Sequence, residues 1–170
     1  MEIAHAVFDD AAEVARIHVL SWQQAYQGLV PAAFLASQSI ERRQSYWREA
    51  IVKGEPEVWV AKSQGQIVGW IACGPRRDPG AGSQEAEVYA VYLLAHWWSK
   101  GVGRALWLAA RARLQAQGFA TVSLWVLAEN HRPLRFYQAA GFQLEPASAK
   151  EVIIGGKPLQ ELRYVCSLVD

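Results

Sequence analysis

The ten residues WWSKGVGRAL, at positions 97–106, have types and spacing that could do chemistry. Gly101 and Gly103 stand at the predicted start of a helix, where glycine loses more conformational entropy than alanine. Without Cβ atoms, the backbone N–H groups of such a turn can approach a bulky anion closely, and a helix N-terminus adds roughly half a positive charge. Lys100 and Arg104 add two side-chain cations. The stretch therefore predicts a site for an anion such as a pyrophosphate.

Two common phosphate motifs are excluded by the order of the residues. A P-loop requires a lysine and then serine or threonine after the glycines, whereas Lys100 precedes them. A dinucleotide fingerprint requires a third glycine at the position of Leu106. The turn alone is also compatible with a tight strand-to-helix connection that holds no ligand, so its interpretation depends on the rest of the chain.

A second polar pattern follows in ENHRPLRFYQAAGF, residues 129–142. Asn130 is a suitable helix N-cap, Pro133 is permitted in the first turn, and Gly141 suits the position after the helix. Asn130 and Tyr137 are seven residues apart, so they lie on nearly the same helix face, about 10 Å from each other. One polar face thus ends in a phenol. The alternative is that Tyr137 packs in the core with its hydroxyl at the rim.

Length and composition indicate an ordinary globular protein. The chain has 170 residues, of which 52% are hydrophobic and 19% charged, enough for one domain, residues 1–170, with a sizeable core. A formal net charge of +1 gives no general attraction to nucleic acid or to an anionic membrane. The first ten residues lack a basic segment followed by an apolar one, and no apolar run approaches about 18 residues. We expect a cytoplasmic protein with no nucleic-acid or membrane partner.

No residue spacing points to a metal or a redox pair. Cys73 and Cys166 are far apart in apolar, strand-like segments, so we expect both to be reduced structural thiols. The four histidines show neither HxxxH nor HExxH spacing. We expect no metal site.

The periodicity of the apolar residues predicts an α/β fold. Helices are expected at about 10–26, 31–53, 101–117 and 131–140. Strands are expected in EIAHAVF, at about 57–63 and 66–73, and in EAEVYAVYLL, TVSLWVL, FQLEP, EVIIGG and LQELRYVCSLV. Strands and helices in this order predict a mixed sheet flanked by helices.

Three segments, EVYAVYLL, WWSKGVGRAL and ENHRPLRFYQAAGF, resemble in their order and spacing the acetyl-CoA-binding core of the GNAT superfamily of N-acetyltransferases. The preceding helices and hairpin and the closing strand pair also follow the family's order, so the resemblance spans most of the chain. It implies a single GNAT-like domain with a mixed, mostly antiparallel central sheet of about seven strands flanked by helices. It also implies acetyl-CoA as co-substrate and an amine as acceptor.

The resemblance assigns the coenzyme A pyrophosphate to the glycine turn. The family pattern is Gln or Arg, two variable residues, Gly, one variable residue, then Gly or Ala. Gly101 and Gly103 match the glycine positions, whereas the first position holds Trp98, which lacks the polar group often found near the phosphates. The backbone N–H groups that would hold the pyrophosphate belong to Ser99, Lys100, Gly101, Val102, Gly103 and Arg104.

The same resemblance assigns the pantetheine arm to the end of the strand EVYAVYLL, at Val91, Tyr92 and Leu93. Val91 and Leu93 would supply backbone groups, and one N–H would point at the thioester carbonyl, where it would stabilise the developing oxyanion. Asn130 matches the family position that contacts the pantetheine arm directly or through water.

The resemblance also implies catalytic roles for a direct attack of the amine on the thioester. Tyr137 matches the usual general acid, which protonates the departing thiolate. Glu87 matches a glutamate that takes the amine's proton through water. Glu85 and His96 are rival bases, and the alternative for Glu87 is a solvated strand residue.

The segment SWQQAYQGLVP resembles the part of the first helix and the following loop that borders the acceptor cleft. Trp22 and Tyr26 would form aromatic walls that favour an amine with an apolar body. Because the chain has eight tryptophans, core packing is the alternative for Trp22.

Three functions stay open at this point. The chain could acetylate a primary amine of a small molecule or peptide, it could be a non-catalytic acyl-CoA-binding or regulatory module, or it could acetylate protein N-termini or lysines. Tyr137 and Glu87 favour an enzyme, because binding alone requires neither. The family also implies a possible homodimer, and the closing segment EVIIGGKPLQELRYVCSLVD ends in an apolar strand that could be the exposed edge.

Overall fold

The computed structural model describes residues 1–169, which form one mixed sheet with helices packed on both faces. The helices are α1 (Ala11–Ala25), α2 (Ala32–Ala36), α3 (Ile40–Lys53), α4 (Val102–Ala116) and α5 (His131–Ala139). The strands are β1 (Glu2–His5), β2 (Glu57–Ser63), β3 (Gln66–Pro75), β4 (Glu85–Leu93), β5 (Thr121–Leu127), β6 (Gln143–Leu144), β7 (Lys150–Ile154) and β8 (Lys157–Ser167). Within residues 1–169, no helix combines the length and the apolar character needed to cross a membrane.

The helical region predicted at 31–53 divides into two helices. α2 ends before Ser37, and Ser39 starts α3 by accepting a hydrogen bond at its Oγ from the Arg42 N–H, at 3.2 Å. Serine at this position satisfies one of the N–H groups that a helix start leaves without a partner. α3 then ends at Gly54, which has a φ of 69°. Leu35 of α2 packs with Leu127 of β5 and Leu159 of β8, apart from the layer that contains α3.

The sheet has eight strands in the order β1-β2-β3-β4-β5-β8-β6, with β7 also paired to β8. All pairs in this sheet are antiparallel except β4 with β5. The prediction of a mostly antiparallel sheet flanked by helices is therefore confirmed, with eight strands instead of about seven.

The parallel pair β4–β5 is short. Only residues 85–87 of β4 pair with residues 121–123 of β5. Beyond Glu87 the two strands diverge, so in the described chain the later part of β4 has no partner on its β5 side. The divergence opens a gap in the middle of the sheet.

A bulge in β4 lies at the point where this gap begins. The register between β3 and β4 passes from Ala72–Ala90 to Cys73–Val88, so Tyr89 is an extra residue in β4. A bulge of this kind bends its strand and increases the local twist. The Tyr89 hydroxyl donates to the Pro75 carbonyl at 2.6 Å, which fixes the bulge against β3.

Two apolar layers hold the helices against the sheet. On one face α4 packs Leu106 and Trp107 against the central strands, and on the other face α1 and α3 pack Val14 and Trp47 against them. Burial of this apolar surface is the main force that fixes each helix. The layer with α4 includes residues of both β4 and β5, the two strands that border the gap.

The prediction that the last strand forms an exposed edge is wrong. β8 pairs with β5 on one side and with both β6 and β7 on the other. The reason is that the segment between α5 and β8 folds back along β8 as two short strands. β7 is one outer strand of this end, and its Ile153 is 60% exposed.

Cys73 and Cys166 are both free and buried, as expected for structural thiols. Burial raises the pKa of the Cys73 thiol to about 12, so this side chain stays uncharged near neutral pH.

Candidate active site

The gap between β4 and β5 opens into a cavity of about 680 Å³. Its walls come from the later part of β4, the end of β5, the last turn of α1, the glycine turn before α4 and the first two turns of α5. The predicted site residues that line it are Trp22, Tyr26, Val91, Tyr92, Leu93, Ser99, Gly101, Gly103, Arg104, Asn130 and Tyr137. Most of the predicted site thus meets in one chamber of a size typical for small-molecule ligands.

The two glycines of the turn are required for different reasons. Gly101 precedes the first residue of α4 and has a φ of 80°, a conformation that costs other residues about 1–2 kcal/mol. A Cβ atom at Gly103 would lie 3.1 Å from the ring of Phe136 on α5. Glycine therefore lets the turn bend sharply and lets α5 approach it closely. The N-terminus of α4 faces the cavity across this turn, which fits an anion.

Two residues of the predicted pyrophosphate turn do not line the cavity. Val102 is buried in the core with 2% of its surface exposed. Lys100 is exposed, and its Nζ lies 5.4 Å from the centroid of the Trp97 ring. Only their backbone N–H groups are thus candidates for contact with a ligand, whereas Arg104 lines the cavity.

Trp98 has a defined structural role at the position where the family pattern has Gln or Arg. Its ring nitrogen donates to the carbonyl of Leu93 at 3.1 Å. The guanidinium carbon of Arg132, in the first turn of α5, lies 4.1 Å from the centroid of the Trp98 ring. Both side chains line the cavity. Trp98 brings no polar group to a ligand here, but it holds a cation beside the glycine turn.

The unpaired part of β4 forms one wall of the cavity through Val91, Tyr92 and Leu93. The carbonyl of Leu93 already accepts hydrogen bonds from Trp98 Nε1 and from Ser21 Oγ, at 3.1 and 3.3 Å. The hydroxyl of Tyr92 accepts a hydrogen bond from Trp22 Nε1 at 2.8 Å. α1 is thus tied to β4 along this wall.

Tyr137 of α5 and Asn130, the residue before α5, both line the cavity. The Tyr137 ring packs against Phe136 and Phe142, with centroids 5.3 and 5.8 Å away. Its hydroxyl makes no hydrogen bond to another residue in 1–169, and burial raises the pKa of Tyr137 well above its usual value. The phenol therefore keeps its proton at neutral pH and is free to donate it.

Asn130 stands at the helix start predicted for it, but its side chain does not cap the helix. Its backbone N–H donates to the Leu127 carbonyl at 3.0 Å. Within the described residues the side-chain amide has no hydrogen-bond partner, which leaves it available to a ligand in the cavity.

Glu87 does not line the cavity. It is 3% exposed, so the alternative of a solvated strand residue is wrong. Its carboxylate accepts hydrogen bonds from the backbone N–H and the guanidinium of Arg77, at 2.9 and 2.6 Å. Arg77 in turn lies over the Tyr89 ring, 3.8 Å from its centroid. The Arg77–Glu87 pair is thus held against the bulge of β4, one residue from the cavity wall.

The rival bases are also outside the cavity. Glu85 is paired with Arg76, with Nη1 and Oε1 3.0 Å apart. His96 is exposed in the 3-10 turn that follows β4. Neither residue is among those that line the cavity, so the base stays a prediction.

Aromatic residues of α1 cover another part of the cavity. The rings of Trp22 and Tyr26 meet edge to face, with centroids 4.8 Å apart. Burial raises the pKa of the Tyr26 phenol, and the neighbouring Tyr92, Tyr137 and Glu161 raise it further. The cavity lining accounts for Trp22 better than core packing alone does.

The segment after α1 rests on the turn between β7 and β8. A Cβ atom at Gly155 would lie 2.6 Å from Cβ of Phe34 on α2, and Gly155 has a φ of 59°. The Nζ of Lys157 donates to the Leu29 carbonyl at 2.9 Å. Trp22 of α1 and Ile154 of β7 both line the cavity. The contacts between the segment after α1 and the turn after β7 therefore join two parts of the cavity wall.

A model of the Acetyltransferase (GNAT) family matches residues 16–142. This span holds the bulged strand β4, the glycine turn and Tyr137. The chain belongs to the GNAT family of acetyltransferases.

The relatives of this GNAT chain agree with the assignment. It is 30% identical over 170 residues to the uncharacterized N-acetyltransferase YuaI of Bacillus subtilis, with 95% of each chain covered. Its fold is similar to the PaiA N-acetyltransferase of Thermoplasma acidophilum in complex with coenzyme A, at a TM-score of 0.76 and 21% identity, with 94% of this chain and 96% of that chain covered. For yncA of Salmonella typhimurium with acetyl-CoA the TM-score is 0.77 at 18% identity, with 100% and 95% covered. The protein is an acetyl-CoA-dependent acyltransferase.

Three charged residues that line this GNAT cavity were not predicted from the sequence. Arg132 and Arg135 are three residues apart in the first two turns of α5, a spacing that places both on one helix face. Glu161 lies in the middle of β8, where the alternation with buried Leu159 gave no reason to choose it. The spacing of the two arginines could have indicated a cationic face of α5. Glu161 lines the cavity only because β8 pairs with β5, which its local sequence does not indicate.

Proposed function

We propose that this GNAT enzyme transfers the acetyl group of acetyl-CoA to a primary amine of a small molecule or peptide by direct attack. The observation that carries the proposal is the Tyr137 hydroxyl, which lies in the cavity wall without a hydrogen-bond partner among residues 1–169. A module that only binds acyl-CoA has no need of a free phenol at this point. The phenol therefore favours catalysis over the non-catalytic alternative.

The donor side of the cavity suits a coenzyme A pyrophosphate. The backbone N–H groups of residues 99–104 would bind it at the start of α4, as the family resemblance implies. Arg104 and the Arg132 held on Trp98 would add positive charge at the same place. PaiA and yncA, which have similar folds, were solved with coenzyme A and acetyl-CoA, which supports coenzyme A as the ligand of this cavity.

The pantetheine arm would enter the gap between β4 and β5. Strand-like pairing with Val91 is available there, because this part of β4 has no β partner on its β5 side within the described chain. The side-chain amide of Asn130 would contact the arm from α5. One N–H of β4 beyond the bulge would donate to the thioester oxygen, which is one of the larger contributions to catalysis of acyl transfer.

The chemistry then needs two proton movements. The amine nitrogen attacks the carbonyl carbon, the bond from carbon to sulfur breaks, and Tyr137 donates its proton to the departing thiolate. The proton that the amine must lose would go through water to Glu87. Because Glu87 is paired with Arg77 and lies behind the cavity wall, a water molecule has to connect it with the amine.

The proposal is tested by the release of coenzyme A thiol from acetyl-CoA over a panel of amines and short peptides. We expect release that depends on an added amine. Glu87→Gln is expected to lower kcat by roughly a hundredfold, the usual scale for a lost general base, whereas Glu85→Gln is the matched control with little effect. Binding of acetyl-CoA without release in the presence of any amine would favour the non-catalytic module. Release only with protein N-termini or lysines would favour the third alternative.

We also infer a homodimer and a cytoplasmic location, both of which stay predictions. The outer strand β7, with its exposed Ile153, is an available edge for pairing between two copies. Gel filtration with light scattering tests the dimer, and a monomer at high protein concentration would contradict it.

A further inference from the structure

The charges that line the cavity are unevenly distributed. Arg104, Arg132 and Arg135 line it from the glycine turn and α5. Among the described residues, Glu161 is the one acidic residue that lines it. Glu161 lies on β8, directly across from Leu127 of β5 and Lys150 of β7. The cavity thus combines a cationic wall with a single carboxylate on another wall.

The Glu161 carboxylate has few polar interactions with the rest of the protein. Its side chain is 19% exposed, and it accepts no hydrogen bond from another residue in 1–169. The nearest cation is Lys150, whose Nζ lies 3.5 Å from Oε1 and 3.8 Å from the centroid of the Trp125 ring. A largely buried carboxylate whose protein partner is one long ion pair stays poorly compensated, so a donor that enters the cavity can gain free energy by hydrogen bonding to it.

The surroundings of Glu161 favour a cation with an apolar body. Trp22, Tyr26 and Trp125 line the same cavity, and aromatic faces attract positive charge. Glu161 lines the same cavity as Tyr26 and as Tyr137, the proposed general acid, and its charge helps to raise the pKa of Tyr26. A molecule held at Glu161 therefore lies in the same cavity as the phenol of Tyr137.

We propose that Glu161 is the counter-ion that binds the positive charge of the acceptor. The acceptor then belongs to the amines that enter as ammonium ions on an apolar body. Its ammonium group has to release one proton to solvent before the nitrogen attacks, and the second proton leaves as the amide forms, by the route through water to Glu87. Amino acids, whose carboxylate would lie beside Glu161, are disfavoured by repulsion between like charges. This inference rests on the proposed function, because it names the acceptor of the same site.

The experiment is a calorimetric titration of the coenzyme A-saturated protein with benzylamine, a cation, and with benzyl alcohol, its neutral match. We expect the wild type to bind benzylamine at least tenfold more tightly than benzyl alcohol, and phenylalanine more weakly than benzylamine. Glu161→Gln should remove most of the preference for benzylamine and leave the affinity for benzyl alcohol unchanged. A wild type without this preference, or a Glu161→Gln variant that keeps it, would overturn the inference.

Two further variants separate a local charge effect from a structural one. Lys150→Gln removes the cation that competes for Glu161, so the affinity for benzylamine should rise severalfold, an effect opposite in sign to that of Glu161→Gln. Glu151→Gln is the matched control, since Glu151 is exposed on β7 and does not line the cavity. Unchanged benzylamine affinity in Lys150→Gln would count against the inference even if Glu161→Gln folds poorly.

The titration measures binding and not turnover, so the two proposals fail in different ways. A preference for benzylamine that depends on Glu161, together with no thiol release from acetyl-CoA, supports the counter-ion and contradicts the acetyl transfer. Thiol release without any effect of Glu161→Gln on benzylamine binding supports the transfer and contradicts the counter-ion.

Discussion

Arg132 stacks on Trp98, with its guanidinium carbon 4.1 Å from the ring centroid, and the Trp98 ring is itself held by its hydrogen bond to the Leu93 carbonyl. The two residues join the glycine turn to the start of α5 at the rim of the cavity. The family pattern has a polar side chain, often near the phosphates, at this position. This chain has the Trp98 ring instead, and Arg132 of α5 stacks on it. In the proposed complex, Arg132 would supply the charge that Trp98 itself lacks.

Replacement of Trp98 by the family's own residue tests this relationship. Trp98→Gln removes the surface on which Arg132 stacks, an interaction of about 0.5–2 kcal/mol, so the Kd for coenzyme A should rise roughly two- to thirtyfold. Arg132→Gln should have an effect of similar size, and the double variant should lose little more, because the two residues act as a pair. Calorimetry measures all three values. Equal or tighter binding by Trp98→Gln would show that the ring has no part in holding the coenzyme.

The two ends of α4 offer a matched pair of glycines. Gly101 and Gly118 have φ values of 80° and 86°, and a Cβ atom at either would meet nothing within 4 Å. Gly101→Ala and Gly118→Ala should therefore each lower the free energy of unfolding by about 1–2 kcal/mol. Only Gly101→Ala should also weaken the binding of coenzyme A, since Gly101 lines the cavity. Urea denaturation and calorimetry separate the two effects, and equal coenzyme affinities would argue against the turn as the pyrophosphate site.

The turn between β7 and β8 contains a second pair of glycines that can be compared. A Cβ atom at Gly155 would lie 2.6 Å from Phe34, whereas one at Gly156 would meet nothing within 4 Å, although both glycines have a positive φ. Gly155→Ala should push α2 away from this turn and raise the KM for the amine severalfold, with the Kd for acetyl-CoA unchanged. Gly156→Ala is the control for backbone strain alone. Steady-state kinetics would contradict the prediction if both variants kept the same amine KM.

The buried histidine of α1 should make stability depend on pH. Burial lowers the pKa of His18 to about 3, and its Nδ1 accepts a hydrogen bond from Trp47 Nε1 at 3.0 Å. The folded state holds this imidazole neutral. His18 therefore makes its full contribution to the free energy of unfolding above the unfolded pKa of about 6.5. This contribution is lost as the pH falls from there toward 3, by about 1.4 kcal/mol per pH unit.

Urea denaturation at pH 7, 6, 5 and 4 measures this dependence. His18→Gln is expected to be less stable at pH 7, because it loses packing against Trp47 and Tyr92, but its stability should fall less steeply with acid. The same slope in both proteins between pH 6 and 4 would mean that His18 is not the group that titrates.

Local patterns in the sequence were sufficient for the parts of the site that are continuous in the chain. The two glycines before α4 and the pair Asn130 and Tyr137 on α5 are set by backbone conformation and helical spacing, and all four line the cavity. The order of strands and helices predicted a mixed sheet flanked by helices, and the family resemblance implied that it is mostly antiparallel.

Contacts between distant parts of the chain could not be predicted in this way. The ion pair between Arg77 and Glu87 depends on how the loop after β3 packs, and the place of Glu161 in the cavity wall depends on how β8 packs. No local pattern in the sequence predicts either one. The position of β8 inside the sheet likewise depends on the return of β6 and β7 along its outer side. A short strand such as β6, with two residues, carries too few apolar positions to show its partner.

The central claim is that Tyr137 donates a proton to the departing thiolate, and Tyr137→Phe tests it most directly. Thiol release from acetyl-CoA in the presence of an accepted amine should fall at least a hundredfold in kcat, on the order of the usual general-acid contribution, with the Kd for acetyl-CoA unchanged. Tyr89→Phe is the matched control, because Tyr89 also lines the cavity but its hydroxyl is engaged with the Pro75 carbonyl. Wild-type kcat in Tyr137→Phe would contradict the account.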